Sequence, residues 1–364
     1  MGLVQGIVTI LLFVIILGVL VLVHEVGHFV VARLAGVRVL EFGIGFPPRA
    51  RVLRDQGETV YTLNWLPIGG FVKLEGEDGS DVEDPRSFGA KSLPTRLIIL
   101  VAGVAMNIVL AFTIFTGIAL TGDPTIGIRA GMIEPGSPAE TAGLVPGDVI
   151  ESVDGRYFGA FGPTSLLDEL RAKAGETVVV GVRRADGTFE RLTATLRSRA
   201  EVSERKGALG ISQLSGRTTD VRLSYTPGRA IDLGVERTAG ATRLIVDGLG
   251  ELVTALISRP TEPPPASGPV GIAIQIGDVF WALGPIVTLF LAGVLSANLA
   301  VINILPFPPL DGGRMLVIVL KSLFGKRISV RAERLTYLVG FAFLFAFLIW
   351  VTAFDALRSL GLVQ

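Results

Sequence analysis

Histidine occurs only twice in this chain of 364 residues, and both copies fall in one run, His24-Glu25-Val26-Gly27-His28. On an α-helix, residues four apart project from one face a turn apart, so two imidazoles at this spacing can grip one ion. The residue after the first histidine is turned about 100° away, and a glutamate there can address a water held by that ion. This is the spacing of a zinc peptidase, and the scarcity of histidine elsewhere makes a chance match rare. A catalytic zinc takes three protein ligands and keeps one position open. No further histidine and no cysteine exists to be the third ligand. It must be a carboxylate, and carboxylates are scarce in the hydrophobic parts of the chain. The best placed is Asp311, in Asn303-Ile304-Leu305-Pro306-Phe307-Pro308-Pro309-Leu310-Asp311-Gly312-Gly313-Arg314.

The elements that must position these residues are membrane helices. Only 18% of residues are charged, against about 25% in a soluble domain, and the mean hydropathy is +0.60. The apolar excess is gathered at residues 3–33, 97–121, 280–304 and 336–354, lengths suited to the ~20 residues that span a bilayer. The chain therefore reads as a polytopic α-helical membrane protein with four transmembrane helices. A net charge of zero gives no electrostatic case for nucleic acid. The lack of cysteine excludes disulfides and a thiolate zinc site. The first apolar run has no basic segment before it and no small-residue cleavage pattern after it. It continues into the histidine pair, so it reads as a retained membrane helix and not a signal peptide.

Lys and Arg in short loops set the orientation. Residues 34–96 carry a series from Arg38 to Arg96, and the loop after the third span carries Arg314, Lys321, Lys326, Arg327, Arg331 and Arg334. Both loops are expected in the cytoplasm, with the termini and residues 122–279 outside a cell membrane. Depth then links the two halves of the site. His24 lies about 31 Å along the first span, near the cytoplasmic edge of a hydrocarbon core about 30 Å thick. The third span reaches the same level near residue 302, just before Pro306, Pro308 and Pro309 break the helix. Broken backbone at membrane depth is tolerated where protein or a wet cavity satisfies it, and here it lets Asp311 turn back toward the histidines.

The expected organisation is a first span at 1–33, a cytoplasmic loop at 34–96, a second span at 97–121, a β-rich module at 122–200, an amphipathic helix and Pro-rich linker at 201–279, a third span with its broken end at 280–313, and a fourth span at 336–354. In the module, β-branched strands alternate with turns at Pro135-Gly136, Pro146-Gly147, Asp154-Gly155 and Asp186-Gly187. The run from Gly136 to Leu144 reads as a short helix with a serine cap and a glycine stop. Together with Pro146-Gly147-Asp148-Val149-Ile150-Glu151, it resembles a PDZ domain, a module that binds peptides by strand addition. Such a module could present a groove, or act as a filter that admits substrates already trimmed outside. Residues 229–257 show helical periodicity, read either as a helix on the membrane surface or as one packed on the module. In the cytoplasmic loop, Val60–Trp65 and Ile68–Leu74 alternate as a membrane-associated β-hairpin. Its free edge could pair with an unwound substrate; a plain cytoplasmic hairpin is the other reading.

The histidine run, the PDZ-like module and the Asn303 to Gly313 run together resemble the site-2 proteases, a family of intramembrane zinc metalloproteases. The likeness extends to Gly268-Pro269-Val270-Gly271-Ile272 and to Leu66-Pro67-Ile68-Gly69-Gly70-Phe71-Val72-Lys73, and so covers nearly the whole chain. It implies that His24, His28 and Asp311 hold Zn2+ and that Glu25 is the general base. It also implies cleavage within the transmembrane segment of single-pass membrane proteins, such as anti-sigma factors or signal-peptide remnants. A tandem pair of PDZ modules marks the best-studied branch, whereas one copy is found here. By the same resemblance Asn303 could hold the substrate backbone or the oxyanion; a cap on the broken helix is the alternative. Asn107, mid-span in the second helix, supports the site or serves helix packing. Gly69, Gly70 and Phe71 stand as candidate substrate contacts. Two rival functions are a membrane zinc peptidase of the prenyl-protein-protease type, which explains neither the PDZ-like module nor the Leu310-Asp311-Gly312-Gly313 run, and a non-catalytic PDZ-bearing scaffold, which would not need Glu25.

Overall fold

The computed structural model describes all residues except 1, 56, 78–82, 163, 204–205, 260–261, 325–329 and 362–364. In chain order the elements are α1 (Leu3–Leu34), β1 (Val39–Arg54), β2 (Val60–Leu74), α2 (Leu93–Thr121), β3 (Asp123–Arg129), β4 (Met132–Ile133), α3 (Pro138–Thr141), β5 (Val149–Val153), β6 (Arg156–Tyr157), α4 (Leu166–Ala172), β7 (Thr177–Arg183), β8 (Phe189–Thr195), β9 (Ile211–Ser212), β10 (Ser215–Leu223), α5 (Pro227–Ser258), α6 (Pro269–Leu283), α7 (Pro285–Asn303), α8 (Asp311–Phe324) and α9 (Val330–Ser359). Among the described residues, four helices are long and apolar enough to cross a membrane: α1, α2, α7 and Leu335–Ser359 of α9. This is the make-up of a multi-pass membrane protein with a β-rich insertion between its second and third spans.

The chain divides into two compact units. The first comprises Met1–Phe115, Gly234–Gly277 and Leu291–Gln364. Its helices meet through small residues, which let apolar helices approach closely. A Cβ at Gly27 of α1 would lie 2.7 Å from Met106 Cγ, and one at Gly293 of α7 would lie 3.0 Å from Cζ of the fully buried Phe115. Ser296 Oγ of α7 donates to the Asn107 carbonyl of α2 at 2.8 Å. The end of α9 is tied to the start of α6, where Gly271 N–H donates to Asp355 Oδ2 at 2.8 Å. A core of Ala32, Val37, Val39, Leu74, Phe88, Ile99, Leu100 and Ile318 joins α1, α2 and α8 to the β1–β2 sheet.

The second unit comprises Thr116–Leu233 and Asp278–Phe290. Its main sheet has the order β10-β3-β5-β7-β8, with β6 on β5, and a separate pair is formed by β4 and β9. Ile150, Val153, Leu166, Leu170, Val178, Val180, Val182 and Leu209 fill its core. Both short helices carry serine caps: Ser137 Oγ accepts from Glu140 N at 3.3 Å and Ser165 Oγ from Asp168 N at 3.2 Å. Buried Asp148 and Glu151 are each paired at 2.6 Å, with Arg184 and Arg183.

Four expectations are corrected. Val60–Trp65 and Ile68–Leu74 do not form a hairpin with each other; both lie in β2, and β1 pairs with each half. Gly43 has register partners in Phe71 and in Thr62, because alternation marks a strand but not its neighbour. The third span is not one helix from residue 280. α6 ends at Leu283, Gly284 turns the chain at φ +83°, and Pro285 opens α7, since glycine takes the left-handed region and proline starts a helix readily. α6 also occupies residues 269–279, expected as linker: Pro269 ends the Pro-rich run, yet it is the first residue of a helix. The basic loop after the third span is largely α8; Lys326 and Arg327, like Pro260 of the linker, lie outside the described residues. Finally, the module does not stop at 200. β10 completes its sheet, with Arg217 opposite Gly127, and its mostly exposed residues carry too weak an alternation to be read. The periodic stretch 229–257 is one helix, α5, that buries Ala230, Thr238 and Ala241 and leaves Ile231, Val235, Val246, Val253 and Ile257 exposed.

Candidate metal centre

Three elements of the first unit converge on one point. α1 presents His24 and His28 from a single face, 5% and 8% exposed. The chain leaves α7 at Asn303, passes the Pro-rich break and enters α8 at Asp311. The break folds tightly on itself. Leu310 N–H donates to Phe307 O at 2.9 Å, and a Cβ at Gly313 would lie 2.5 Å from the backbone nitrogen of Pro308. This close return demands glycine and aims Asp311 at the histidines. Asp311 Oδ2 lies 2.9 Å from His24 Nε2 and 3.2 Å from His28 Nε2, and the two Nε2 atoms are 3.1 Å apart.

The donor set fits a divalent cation. Among the described residues, these three form the one group of histidine and acidic side chains whose ligand atoms all lie within 4.8 Å of one another. Tetrahedral zinc with ligand bonds of about 2.0–2.1 Å spaces its ligand atoms about 3.3 Å apart, close to the distances observed. Burying a carboxylate beside two imidazoles is costly unless a cation or proton compensates it. The histidine tautomer also suits. His28 Nδ1 is 2.8 Å from the Ile99 carbonyl of α2, which can only accept, so Nδ1 carries the proton and Nε2 keeps its lone pair.

α2 supplies the rest of the wall at spacings of four. Ile99 holds His28. Gly103 makes room, since a Cβ there would lie 2.7 Å from His28 Cε1 and 2.8 Å from His24 Cε1. Asn107, wholly buried, faces His24 with its amide nitrogen 3.3 Å from Nδ1, and its Oδ1 has no partner. Glu25 does not join the cluster; its Oε2 accepts from Val72 N–H of β2 at 3.1 Å. Glu25, His28 and Asp311 border a polar cavity of about 60 Å³, closed by Glu77 and Arg314, which pair at 2.5 Å. That volume holds a few waters.

The bend of β2 lies against the middle of α1. A Cβ at Gly69 would lie 2.9 Å from Val21 Cγ1; one at Gly70 would lie 2.7 Å from Gly43 O and 3.9 Å from Glu25 Cγ. Phe71 packs over Gly43. Asn303 is half-buried at the end of α7 and forms no hydrogen bond to the cluster. Sequence reasoning passed over Gly103, the Ile99 carbonyl, the Val72 N–H and the Glu77–Arg314 pair. Gly103 alone left a trace, four residues before Asn107 in a run of small residues; backbone groups leave none.

The sequence model of peptidase family M50 matches residues 12–347. The zinc metalloprotease RasP of Shouchella clausii is 30% identical over 94% of this chain and 97% of that protein. The protein of the same name from Geobacillus kaustophilus is 27% identical over 94% of this chain and 96% of its own length. The regulator of sigma-W protease RasP of Bacillus subtilis is 28% identical over 96% of this chain and 98% of that protein.

Proposed function

Because the chain belongs to peptidase family M50, the site-2 protease family of zinc metalloproteases, we propose that it is an intramembrane endopeptidase cutting single-pass membrane proteins within their transmembrane segments. The observation that carries this reading is the convergence on a single buried point of His24 and His28 with Asp311, which lies 287 and 283 residues further along the chain. These three would hold zinc, which when bound would make its water far more acidic than bulk water and polarise the scissile carbonyl. Glu25 takes the proton of the attacking water on a carboxylate oxygen and passes it to the leaving amine. The Val72 N–H at 3.1 Å fixes the direction of that carboxylate. The small polar cavity beside Glu25 supports delivery of water to a site otherwise walled by apolar helices.

A substrate helix has its carbonyls bonded internally, so it must be opened before it can be cut. We assign that task to the edge of β2 around Gly69, Gly70 and Phe71, next to Glu25, which can pair with an unwound segment. Exposed Phe46, Trp65 and Leu66 at the same end of the sheet support its dipping into the bilayer. The basic residues that flank the spans support a cytoplasmic position for this sheet and the site, with the second unit, a PDZ-like module, outside the cell membrane. The name of the Bacillus subtilis relative supports anti-sigma factors as a substrate class.

The test is reconstitution with a single-pass substrate, comparing Glu25→Gln with the parent protein. The variant should keep zinc and lose about 10²–10⁴-fold in rate. Equal cleavage by both, or none by either with zinc bound, refutes the mechanism.

A further inference from the structure

We propose that Asn107 is a positioning residue for the metal site: its side-chain oxygen accepts the Nδ1 proton of His24 and thereby frees Nε2 to bind zinc. The inference rests on the metal-site reading above and adds a residue that acts through His24 without touching the ion.

Three observations carry it. First, the amide nitrogen of Asn107 stands 3.3 Å from His24 Nδ1 while Oδ1 of the same side chain, fully buried, has no partner. Placed so, the amide donates to Nδ1 and leaves the ring proton on Nε2, the atom that faces His28 Nε2 and Asp311 Oδ2. A protonated Nε2 cannot bind a metal. Second, the oxygen and nitrogen of an amide are interchangeable by rotation about one bond. Exchange trades one hydrogen bond for one, Nδ1–H to Oδ1 in place of the amide N–H to Nδ1, and the oxygen has no other bond to lose where it now stands. Third, the other histidine is already held this way, its Nδ1–H bonded to the Ile99 carbonyl at 2.8 Å. Ile99 and Asn107 lie eight residues apart on α2, two turns along one face, as His24 and His28 lie one turn apart on α1. One helix thus supplies an acceptor for each ring. The Asn107 end is braced in turn, since Ser296 Oγ of α7 donates to its backbone carbonyl at 2.8 Å.

The experiment exploits the fact that the chain has two histidines only. With histidine ¹⁵N-labelled, the zinc-loaded full-length protein shows four ring nitrogens, and both rings should carry the proton on Nδ1. Zinc affinity, read by chelator competition, should fall 10- to 100-fold in Asn107→Leu, as for other partners that orient a ligand. Asn107→Asp, which keeps an acceptor, should restore it to about the parent value. A His24 ring bare at Nδ1, or an unchanged affinity in Asn107→Leu, overturns the proposal. If His24→Ala weakens zinc binding while Asn107→Leu does not, the positioning role alone falls. If His24→Ala binds zinc as the parent does, the metal-site reading falls and takes this inference with it.

Discussion

Replacing Gly103 with alanine tests whether the two imidazoles form one fitted site. The added methyl would stand 2.7 Å from His28 Cε1 and 2.8 Å from His24 Cε1. Ordinary carbon contacts begin near 3.4 Å, so each ring must give way by about 0.6 Å or more. Neither can do so freely. His28 is held to Ile99 O at 2.8 Å, and His24 lies between Asn107 and Asp311. Overpacking of this kind costs about 1–3 kcal/mol, and at ~1.4 kcal/mol per tenfold that weakens zinc binding about 5- to 140-fold. The helix gains ~1 kcal/mol from the loss of glycine, so folding should survive. Zinc affinity is measured by chelator competition on the reconstituted protein, with helical content followed by circular dichroism. Gly117→Ala is the control, because a Cβ there meets nothing within 4 Å. If Gly103→Ala binds zinc as tightly as Gly117→Ala, with helicity intact, the close wall inferred for α2 is wrong.

Val72→Pro removes the N–H that holds Glu25 at 3.1 Å; turnover should drop about 10- to 100-fold with zinc affinity unchanged, and a parallel loss of zinc would show that β2 shapes the metal site itself. In the second unit, the Lys173 ammonium and the Val179 N–H hold the Asp154 carboxyl below its usual range. That contribution is present above the ordinary carboxylate pKa and lost as pH falls through the lowered one, so Tm of the parent should decline more steeply below pH about 4 than that of Asp154→Asn. Identical acid limbs in the two melting series would remove Asp154 from the account.

What the sequence made legible was chemistry constrained by scarcity. With two histidines and no cysteine, His24 and His28 had no competitors, and the thin supply of membrane carboxylates pointed to Asp311. The four spans were readable because apolar length is a local property. Partner choice is not local, and there the reading failed. Nothing in the alternation of Val60–Leu74 said that β1 would pair with both its halves, and nothing in the Pro-rich run ending at Pro269 distinguished a linker from the first residue of α6. Asn107 stood out as a polar side chain in an apolar helix, yet its target could not be read. That depends on α2 crossing α1 at Gly27, and a crossing is set by two helices at once.

The distance along the chain between His24 and Asp311 also sets an order of events at synthesis. The histidine pair is made within the first tenth of the chain, whereas its carboxylate partner follows 287 residues later. At about 5–20 residues per second, that gap lasts roughly 15–60 s. During it the first two spans and the β module can form while Asp311 does not yet exist. Under the function proposed above, synthesis itself would leave the metal site incomplete until all but the last span has been made, and a newborn copy would have no working blade to turn on the membrane segments emerging around it.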